Sequence, residues 1–511
     1  MSSDLTPLLT AHIFVSMQIS RDEWEARLTA LAERGISVKL YEPAEALKDI
    51  KPRNPRVYVS LGEDWEQFPT LIALQLYERR RWLHFHSLEQ LDPSQLFYCW
   101  LRQTDPLPDN KTVPLTRFSS DTPLVSVFTA SYRSKDKIRR PYRSLLNQTY
   151  SNWEWVIVDD SGDEDETYNN DLLPMADPRV RRYRQDSRNG YIGAIKRYAA
   201  GLCTGEILVE VDHDDELTPD CLQKIVEAFQ KHPDCGFVFG DCTEVYVDSR
   251  NSHWYGWDCG YGYAMYYRVW VHEMNRWHNV LKNTVFNGNT IRHLAGLPNH
   301  PRAWTRAAYH LVGGHREELL VADDYDLLVR TFLCTKYAAI PDLLYIQYRN
   351  EQGDNSTFQR NRQIQILVKE LNAYYHSRIV LRLEELGLHE LLPYKRVWET
   401  AADDPARKSA HINHERESKV SVLFPLPYTS SRNDHAELIR MMRKGVETGF
   451  NDIEVVVVGR IPAEVEAYAS KAPMGAIRWW PMEPNDSLDT CIEYAKFCSS
   501  CEEKVVVLPQ S

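Results

Sequence analysis

At 511 residues the chain is too long for a single hydrophobic core and requires two or three domains of about 100–200 residues each. A formal net charge of -12 excludes a general binder of nucleic-acid backbones, whose affinity rests on Lys and Arg. No run approaches the ~20 apolar residues of a membrane span and the N-terminus lacks the order of a secretory signal, so a soluble, cytoplasmic protein is expected.

Residues 1–118 alternate strand-like runs (12–17, 37–41, 56–61, 82–86) with helical ones (23–33, 68–77), the pattern of an N-terminal α/β domain whose role the sequence does not show. A polar, Pro-containing stretch at 103–123 reads as a linker, and a charged one at 401–418 reads as a second. They delimit a central domain at 119–400 and a C-terminal unit at 416–511. The ten cysteines are scattered, and the Cys498/Cys501 pair has no second pair to complete a zinc site, which predicts reduced core thiols.

The central domain opens with the β-rich run Leu124-Val125-Ser126-Val127-Phe128-Thr129-Ala130-Ser131-Tyr132-Arg133, followed by a helical pattern through Leu145-Leu146. Two more buried-looking strands follow, one ending in Asp159-Asp160-Ser161-Gly162 and the other in Asp212-His213-Asp214-Asp215. Strand–helix–strand order predicts a mostly parallel sheet whose ligand lies outside the carboxyl ends of the strands, where these acids fall. Oxygen ligands in a tight turn suit Mg²⁺ or Mn²⁺, which retain positions for substrate phosphates. Downstream, Thr218-Pro219 reads as the N-cap and first residue of an amphipathic helix.

These segments resemble the family 2 glycosyltransferases of GT-A fold. Ala130-Ser131-Tyr132-Arg133 stands at the family's first turn without its Pro and Asn. Val158-Asp159-Asp160-Ser161-Gly162 is similar to the Val-Asp-Asp-Gly-Ser segment with its last two residues exchanged. Asn189-Gly190-Tyr191-Ile192-Gly193-Ala194-Ile195-Lys196-Arg197 is similar to the stretch leading into the DxD motif, which Asp212-His213-Asp214 matches. Pro301-Arg302-Ala303-Trp304-Thr305-Arg306, Gly313-Gly314 and Ala322-Asp323-Asp324-Tyr325-Asp326-Leu327 resemble the acceptor side and the Glu-Asp catalytic motif.

The resemblance implies an inverting, Mn²⁺- or Mg²⁺-dependent transfer of a sugar from a nucleotide-diphosphate donor, UDP-linked by expectation, to a hydroxyl of a glycan, a lipid-linked glycan or a protein. Asp214 and Asp212 are the implied metal ligands. Thr129, Ser131, Tyr132, Asp159, Asp160, Lys196 and Asp212 are the implied nucleotide-binding residues. Either Asp159 or Asp160 would accept from the base, and Lys196 is either a diphosphate or base contact or a solvated cation. Asp324 is the expected general base, worth about 10²–10⁴ in rate, with Asp323 as its partner or as a helix cap. Trp304, Gly313, Gly314 and Trp257 are candidates for acceptor or sugar contact, Trp257 within an aromatic-rich stretch at 254–277 that suits either sugar stacking or packing. The family's His after the last strand is missing from Tyr348-Arg349-Asn350-Glu351-Gln352, which leaves the metal's identity open. Attachment at the inner face of a membrane and homo-oligomerisation are compatible with this reading.

The C-terminal unit repeats the strand pattern of the central domain. Val420-Ser421-Val422 answers Val125-Ser126-Val127, Glu454 to Val458 answers Glu154 to Val158, and Glu503 to Leu508 answers Glu206 to Val211. Gly459-Arg460 then replaces Asp159-Asp160, and Pro509-Gln510-Ser511 replaces Asp212-His213-Asp214, as in a degenerate or truncated copy of the GT-A half. The rival functions are a non-catalytic glycan- or nucleotide-binding module and a metal-dependent nucleotidyltransferase or phosphohydrolase. Asp215-Glu216 after the DxD disfavours a phosphoaspartyl hydrolase, and Thr129-Ala130-Ser131-Tyr132 lacks the Gly-rich loop of a nucleotidyltransferase.

Overall fold

Strand-forming apolar runs separated by amphipathic helices build two sheets. The computed structural model describes residues 6–509 except 44, 46–54, 63–67, 69–80, 108–114, 163–176, 257–259, 261–263, 284, 351–358, 389–398, 402, 405–406, 428–431 and 482–485. The N-terminal sheet holds β1 (Leu9–Val15), β2 (Ile36–Tyr41), β3 (Arg56–Leu61) and β4 (Trp82–Phe85), all parallel in the order β2-β1-β3-β4. Of the helix expected over 68–77, only Phe68 lies within the described residues. The Arg21–Glu33 helix starts at a capping box between Ser20 and Glu23. The Pro93–Thr104 helix begins at Asp92, with Pro93 in the first turn, where its missing N–H is no loss.

Among the described residues all remaining strands join one 15-stranded sheet. Its central part uses β5 (Val125–Ser131), β6 (Trp153–Asp159), β7 (Val180–Arg184) and β8 (Ile207–Glu210), parallel in the order β8-β5-β6-β7. The short β9 (Glu216–Leu217) and long β10 (Cys235–Tyr246) follow, then the hairpin of β11 (Ala264–Val271) and β12 (Arg276–Asn283). β13 (Arg302–Thr305) runs antiparallel between β8 and β10, and β14 (Lys336–Arg349) lies parallel to β10. The 401–418 stretch is not a free linker: β15 (His411–Asn413) pairs with β14 inside it. β16 (Arg416–Leu426), β17 (Ile453–Gly459), β18 (Ile477–Trp480) and β19 (Cys501–Val506) complete the sheet. Their order, β19-β16-β17-β18, is that of β8-β5-β6-β7.

The repeat extends to a buried polar group. In the central copy the Glu154 carboxylate accepts from Ser126 Oγ (2.5 Å), Thr204 N (2.6 Å) and Thr204 Oγ1 (2.8 Å), and pairs with Arg181 Nη2 (2.7 Å). In the C-terminal copy Glu454 accepts from Ser421 Oγ (3.1 Å) and from Ser500 N (2.9 Å) and Oγ, and meets Arg478 Nε at 3.3 Å. The registers agree residue by residue: Ser126 faces Glu154 and Leu208, while Ser421 faces Glu454 and Lys504. Leu208 therefore corresponds to Lys504, one residue off the alignment read from sequence, and Leu508-Pro509 stands where Asp212-His213 does. Neither residue is an acid, so the carboxylates are missing in this alignment too.

The two units meet through aromatics. Arg268 of β11 pairs with Trp479 of β18, and Trp277 packs edge-on against Trp479 with ring centroids 5.5 Å apart. Trp270 and Trp277 thus serve the joint between units, and Tyr266 and Tyr267 are buried. Below them Asp342 on β14 binds Arg478 (2.5 Å), Arg416 (2.8 Å) and Lys224 (3.0 Å). The N-terminal domain is tied in through Glu318, which accepts from Trp100 Nε1 at 2.7 Å and pairs with Arg81 at 2.9 Å.

Candidate active site

Parallel pairing brings the carboxyl ends of β6, β5 and β8 side by side, with Ser131 opposite Asp159 and Phe128 opposite Glu210. The chain leaves β8 into the Asp212–Asp215 turn, which β14 pins. Tyr345 Oη accepts from Asp212 N–H at 3.1 Å and donates to Asp215 at 2.9 Å, while Tyr348 N–H donates to Asp215 at 2.8 Å. Burial, reinforced by Asp214 and Asp212, pushes Asp215 well above the ordinary carboxylate range. Asp215 is therefore a buried staple of the turn, whereas Asp212 and Asp214 are half-buried. The helix beyond spans Cys221–Lys231 and is preceded by Asp220, not Thr218, whose Oγ1 donates to Asp220 and to Leu343 O.

Beneath Asp212 lies an ionic cluster. Lys196, on the Ile192–Leu202 helix, is 6% exposed, which removes the solvated-cation reading. Its Nζ sits 2.5 Å from Glu210, 3.8 Å from Asp323 and 3.9 Å from Asp212. Burial disfavours its charge, but these acids and Asp324 outweigh that and hold it well above its ordinary value. Glu210 is likewise buried, yet Lys196, His300 and His315 keep it well below its own. His300 Nε2 and His315 Nε2 each lie 3.6 Å from Glu210, and His315 Nε2 is 3.8 Å from Asp323. Gly193 permits the close approach of this helix, since a Cβ there would stand 2.3 Å from Arg316 O and 3.3 Å from Asp323 Cβ.

Asp323 and Asp324 open the Asp323–Cys334 helix after Ala322, a non-glycine residue held at φ +56°. Such backbone costs on the order of 1–3 kcal/mol and persists where surrounding structure imposes it. Asp323 does not cap: it points into the cluster, and burial raises its pKa. The Asp324 side chain, 32% exposed, faces outward and binds Arg302 Nη1 at 3.1 Å. Burial raises its pKa, but Arg302 and Lys196 outweigh burial and leave it lowered. Of the two acids, Asp324 is the one open to a substrate.

Glu210, Asp212 and His300 offer one donor atom each within 4.8 Å of one another, a set of two carboxylates and one imidazole compatible with a divalent cation. Glu210 Oε2 and His300 Nε2 are buried without a hydrogen-bond partner, which fits an ion as the missing partner. Asp214, the other ligand expected from the DxD motif, is outside this set; its carbonyl accepts from Arg140 at 3.0 Å. Sequence reading missed Glu210, His300 and His315. Glu210 was visible as one ionisable residue inside Ile207-Leu208-Val209-Glu210-Val211, and His300 precedes the Pro301-Arg302 of the acceptor segment. Nothing in the local sequence singles out His315.

Around the first turn, Asp160 accepts from the N–H groups of Asn189 (2.6 Å) and Gly190 (2.8 Å), and Asp159 from Ser161 N (3.1 Å) and Oγ (2.6 Å). Burial raises Asp160. Tyr132 is half-buried, with the Arg188 guanidinium 4.4 Å and that of Arg133 5.1 Å from its ring. Thr129 and Ser131 are each 1% exposed and spoken for internally. Thr129 Oγ1 donates to Val211 O and accepts from Trp155, and Ser131 Oγ bonds Ser134. Both hydroxyls are therefore taken up inside the protein, that of Thr129 across the sheet and that of Ser131 within the turn after β5.

Three acceptor-side candidates are also structural. Trp304 is fully buried, donates to Thr331 Oγ1 at 3.1 Å and packs on Phe237. A Cβ on Gly313 would stand 2.4 Å from Pro106, and one on Gly314 2.8 Å from the Tyr309 ring, so this pair permits close packing. Trp257 lies outside the described residues.

A mixed α/β sheet with these acids at the carboxyl ends of its parallel strands matches the arrangement expected from the GT-A resemblance. The family model "Glycosyl transferase family 2" matches residues 126–292 of the chain. The chain is 30% identical over 121 residues to the putative colanic acid biosynthesis glycosyl transferase WcaA of Escherichia coli (strain K12), covering 24% of this chain and 43% of that protein. It is 27% identical over 244 residues to a chondroitin synthase of Escherichia coli, covering 47% of this chain and 30% of that one. In both cases it spans less than half of the relative's length. Among solved structures, S. aureus TarS 1-349 in complex with UDP-GlcNAc aligns at 17% identity and TM-score 0.34, over 51% of this chain and 71% of that one, a likeness too slight to carry weight.

Proposed function

We propose that the chain transfers a sugar from a nucleotide-diphosphate donor to a hydroxyl of a glycan, with inversion at the anomeric carbon. The observation that carries this is the placement of one outward-facing carboxylate, Asp324, beside Glu210, Asp212 and His300 at the carboxyl edge of the sheet. Tyr132, Asp159 and Asp160 frame the nucleotide end of that edge. A polymer acceptor is favoured because the names of two relatives refer to colanic acid and chondroitin. Among the described residues no helix is long and apolar enough to cross a membrane. We place the enzyme in the cytoplasm, or at the inner membrane face when its acceptor is lipid-linked.

In this reading Asp324 takes the proton of the attacking hydroxyl. Arg302 keeps it ionised and aimed, at some cost in basicity. Asp323, Lys196, His315 and Glu210 fix the helix start that presents it. Glu210, Asp212 and His300 would hold Mn²⁺ or Mg²⁺, which when bound supplies Lewis-acid stabilisation of the departing diphosphate. Asp214, two residues beyond Asp212, would reach the diphosphate side.

The test is nucleotide release from UDP-, GDP- and dTDP-sugars by the purified chain with Mn²⁺. Asp324→Asn should lower turnover by about 10²–10⁴ while donor binding, read by thermal shift, persists. Undiminished turnover in that variant would exclude Asp324 as base. Donor binding without turnover in the wild type would favour the non-catalytic binding module.

A further inference from the structure

The C-terminal copy keeps a cavity where the central copy places its strand-end acids. Leu426 pairs with Gly459 as Ser131 pairs with Asp159, and Arg460 N–H donates to Leu426 O (3.3 Å) as Asp160 N–H donates to Ser131 O (2.8 Å). Gly459 and Arg460 thus occupy the places of Asp159 and Asp160. Against them opens a cavity of about 360 Å³ lined by Gly459, Arg460, Pro462, Glu466, Trp479 and Pro481 among others. That volume is at the small end of the ~300–1,000 Å³ range of small-molecule sites.

The Trp479 wall is fixed. Its Nε1 donates to Gly459 O at 2.8 Å, Trp277 braces it edge-on, and the Arg268 guanidinium lies 4.9 Å from its ring centre. Arg460 and Glu466 are exposed, and among the described residues neither forms an ion pair. With Gly459, Arg460, Leu508 and Pro509 in place of the acids, the described residues of this copy lack the strand-end carboxylates of the central one, and Glu466 is the carboxylate at the cavity. An immobile indole and proline rings with one guanidinium and one carboxylate at the rim suit a pyranose, which has one apolar C–H face and a ring of hydroxyls.

We propose that this cavity binds a hexose unit of the acceptor glycan, holding the chain at a distance from the transfer site. The assignment of that hexose to the acceptor rests on the glycosyltransferase reading. The apolar face of the sugar lies on Trp479, and its hydroxyls meet Arg460 and Glu466.

Saturation-transfer NMR on the full chain tests this, with the methyl glycosides of glucose, N-acetylglucosamine and glucuronic acid as probes and no nucleotide present. At least one probe should bind, and Ala463→Trp, which fills the cavity from an exposed position, should abolish its signal. Arg460→Ala should weaken it roughly tenfold, the scale of one charge-assisted hydrogen bond. Asp214→Ala should leave it intact while disabling nucleotide-sugar turnover, so failure of the transfer reading and failure of the sugar site are read separately. No binding of any probe, binding that survives both Ala463→Trp and Arg460→Ala, or displacement by UDP would each overturn the proposal. Both exposed substitutions should leave the melting temperature unchanged.

Discussion

Removing the Lys196 ammonium leaves Glu210, Asp323 and Asp212 facing one another without their shared cation. Lys196 is 6% and Glu210 1% exposed, so water cannot replace it. Breaking a buried pair from one side costs about 3–5 kcal/mol, and Lys196→Met should cost at least the lower figure at pH 7.5. The pH dependence follows from the directions of the shifts. In the wild type, burial works to raise Glu210, but Lys196 with His300 and His315 holds it well below its ordinary value. Its stabilisation is therefore complete above the unfolded carboxylate pKa of about 4.3 and is lost as pH falls through the lower folded value. Without Lys196, burial dominates and Glu210 and Asp323 titrate upward. The penalty should be full at neutral pH and shrink as acid protonates them. Urea unfolding of wild type and variant between pH 8 and 5.5 measures this, with Lys196→Met/Glu210→Gln as the double mutant. That pair should recover most of the loss, because neither uncompensated charge remains. A penalty below about 1 kcal/mol, independent of pH, or additive in the double mutant would refute a coupled ionic cluster.

Trp304→Ala should cost about 3–5 kcal/mol in unfolding assays, as expected for a fully buried indole, and leave the donor and acceptor KM of the folded fraction unchanged. A selective rise in acceptor KM at full stability would return Trp304 to the acceptor site. Asp326, buried between Arg316 (3.0 Å) and Arg330 (2.6 Å), has a pKa lowered to about 2. Burial opposes that shift, and the two guanidinium groups outweigh it. Its contribution is present above the unfolded value of about 3.9 and lost as pH falls toward 2, so Asp326→Asn should cost about 3–5 kcal/mol at pH 7 and progressively less in acid. Arg316 also donates to Leu101 O and Thr104 Oγ1, so limited proteolysis of Asp326→Asn should release the N-terminal domain faster.

The parallel N-terminal sheet and the parallel β8-β5-β6-β7 part of the large one were legible because each strand is an apolar run closed by turn residues, whereas the antiparallel β11, β12 and β13 were not. The 56–61 run became β3 with the same ends, and Val125-Ser126-Val127 opens β5. The acids after β6 and β8 were visible for the same reason: a carboxylate closing a buried strand lies at the edge where ligands bind. What sequence could not show is which way a polar side chain points. Thr129 and Ser131 close the strand paired with β6 and its acids, but Thr129 is taken up by Val211 and Trp155 across the sheet and Ser131 by Ser134 in the following turn. His300 and His315 reach Glu210 from loops about 90 and 105 residues away in sequence, a convergence that only the tertiary fold creates. The 401–418 stretch looked like a linker because β15 is a three-residue strand, too short for a periodic signal.

The two copies divide structural and chemical work between opposite ends of the same strands. Glu154 and Glu454, with their Ser, Thr or Ser, and Arg partners, lie near the amino-terminal ends, where each joins three neighbouring strands through one buried carboxylate. Removing such a carboxylate would leave a Ser hydroxyl and a backbone N–H without their acceptor and take one of its partners from Arg181 or Arg478, so the group serves the sheet itself. The acids at the carboxyl ends carry no such constraint in the C-terminal copy. There Gly459, Arg460 and Leu508 replace Asp159, Asp160 and Asp212, and β17 still pairs with β16 along its full length. Because the sheet's stability does not depend on that edge, the C-terminal copy could lose donor chemistry while keeping the concavity, now walled by Trp479 and rimmed by Arg460. The sugar site proposed there follows from that separation: the fold preserves the pocket, and the residues at its edge decide what it holds.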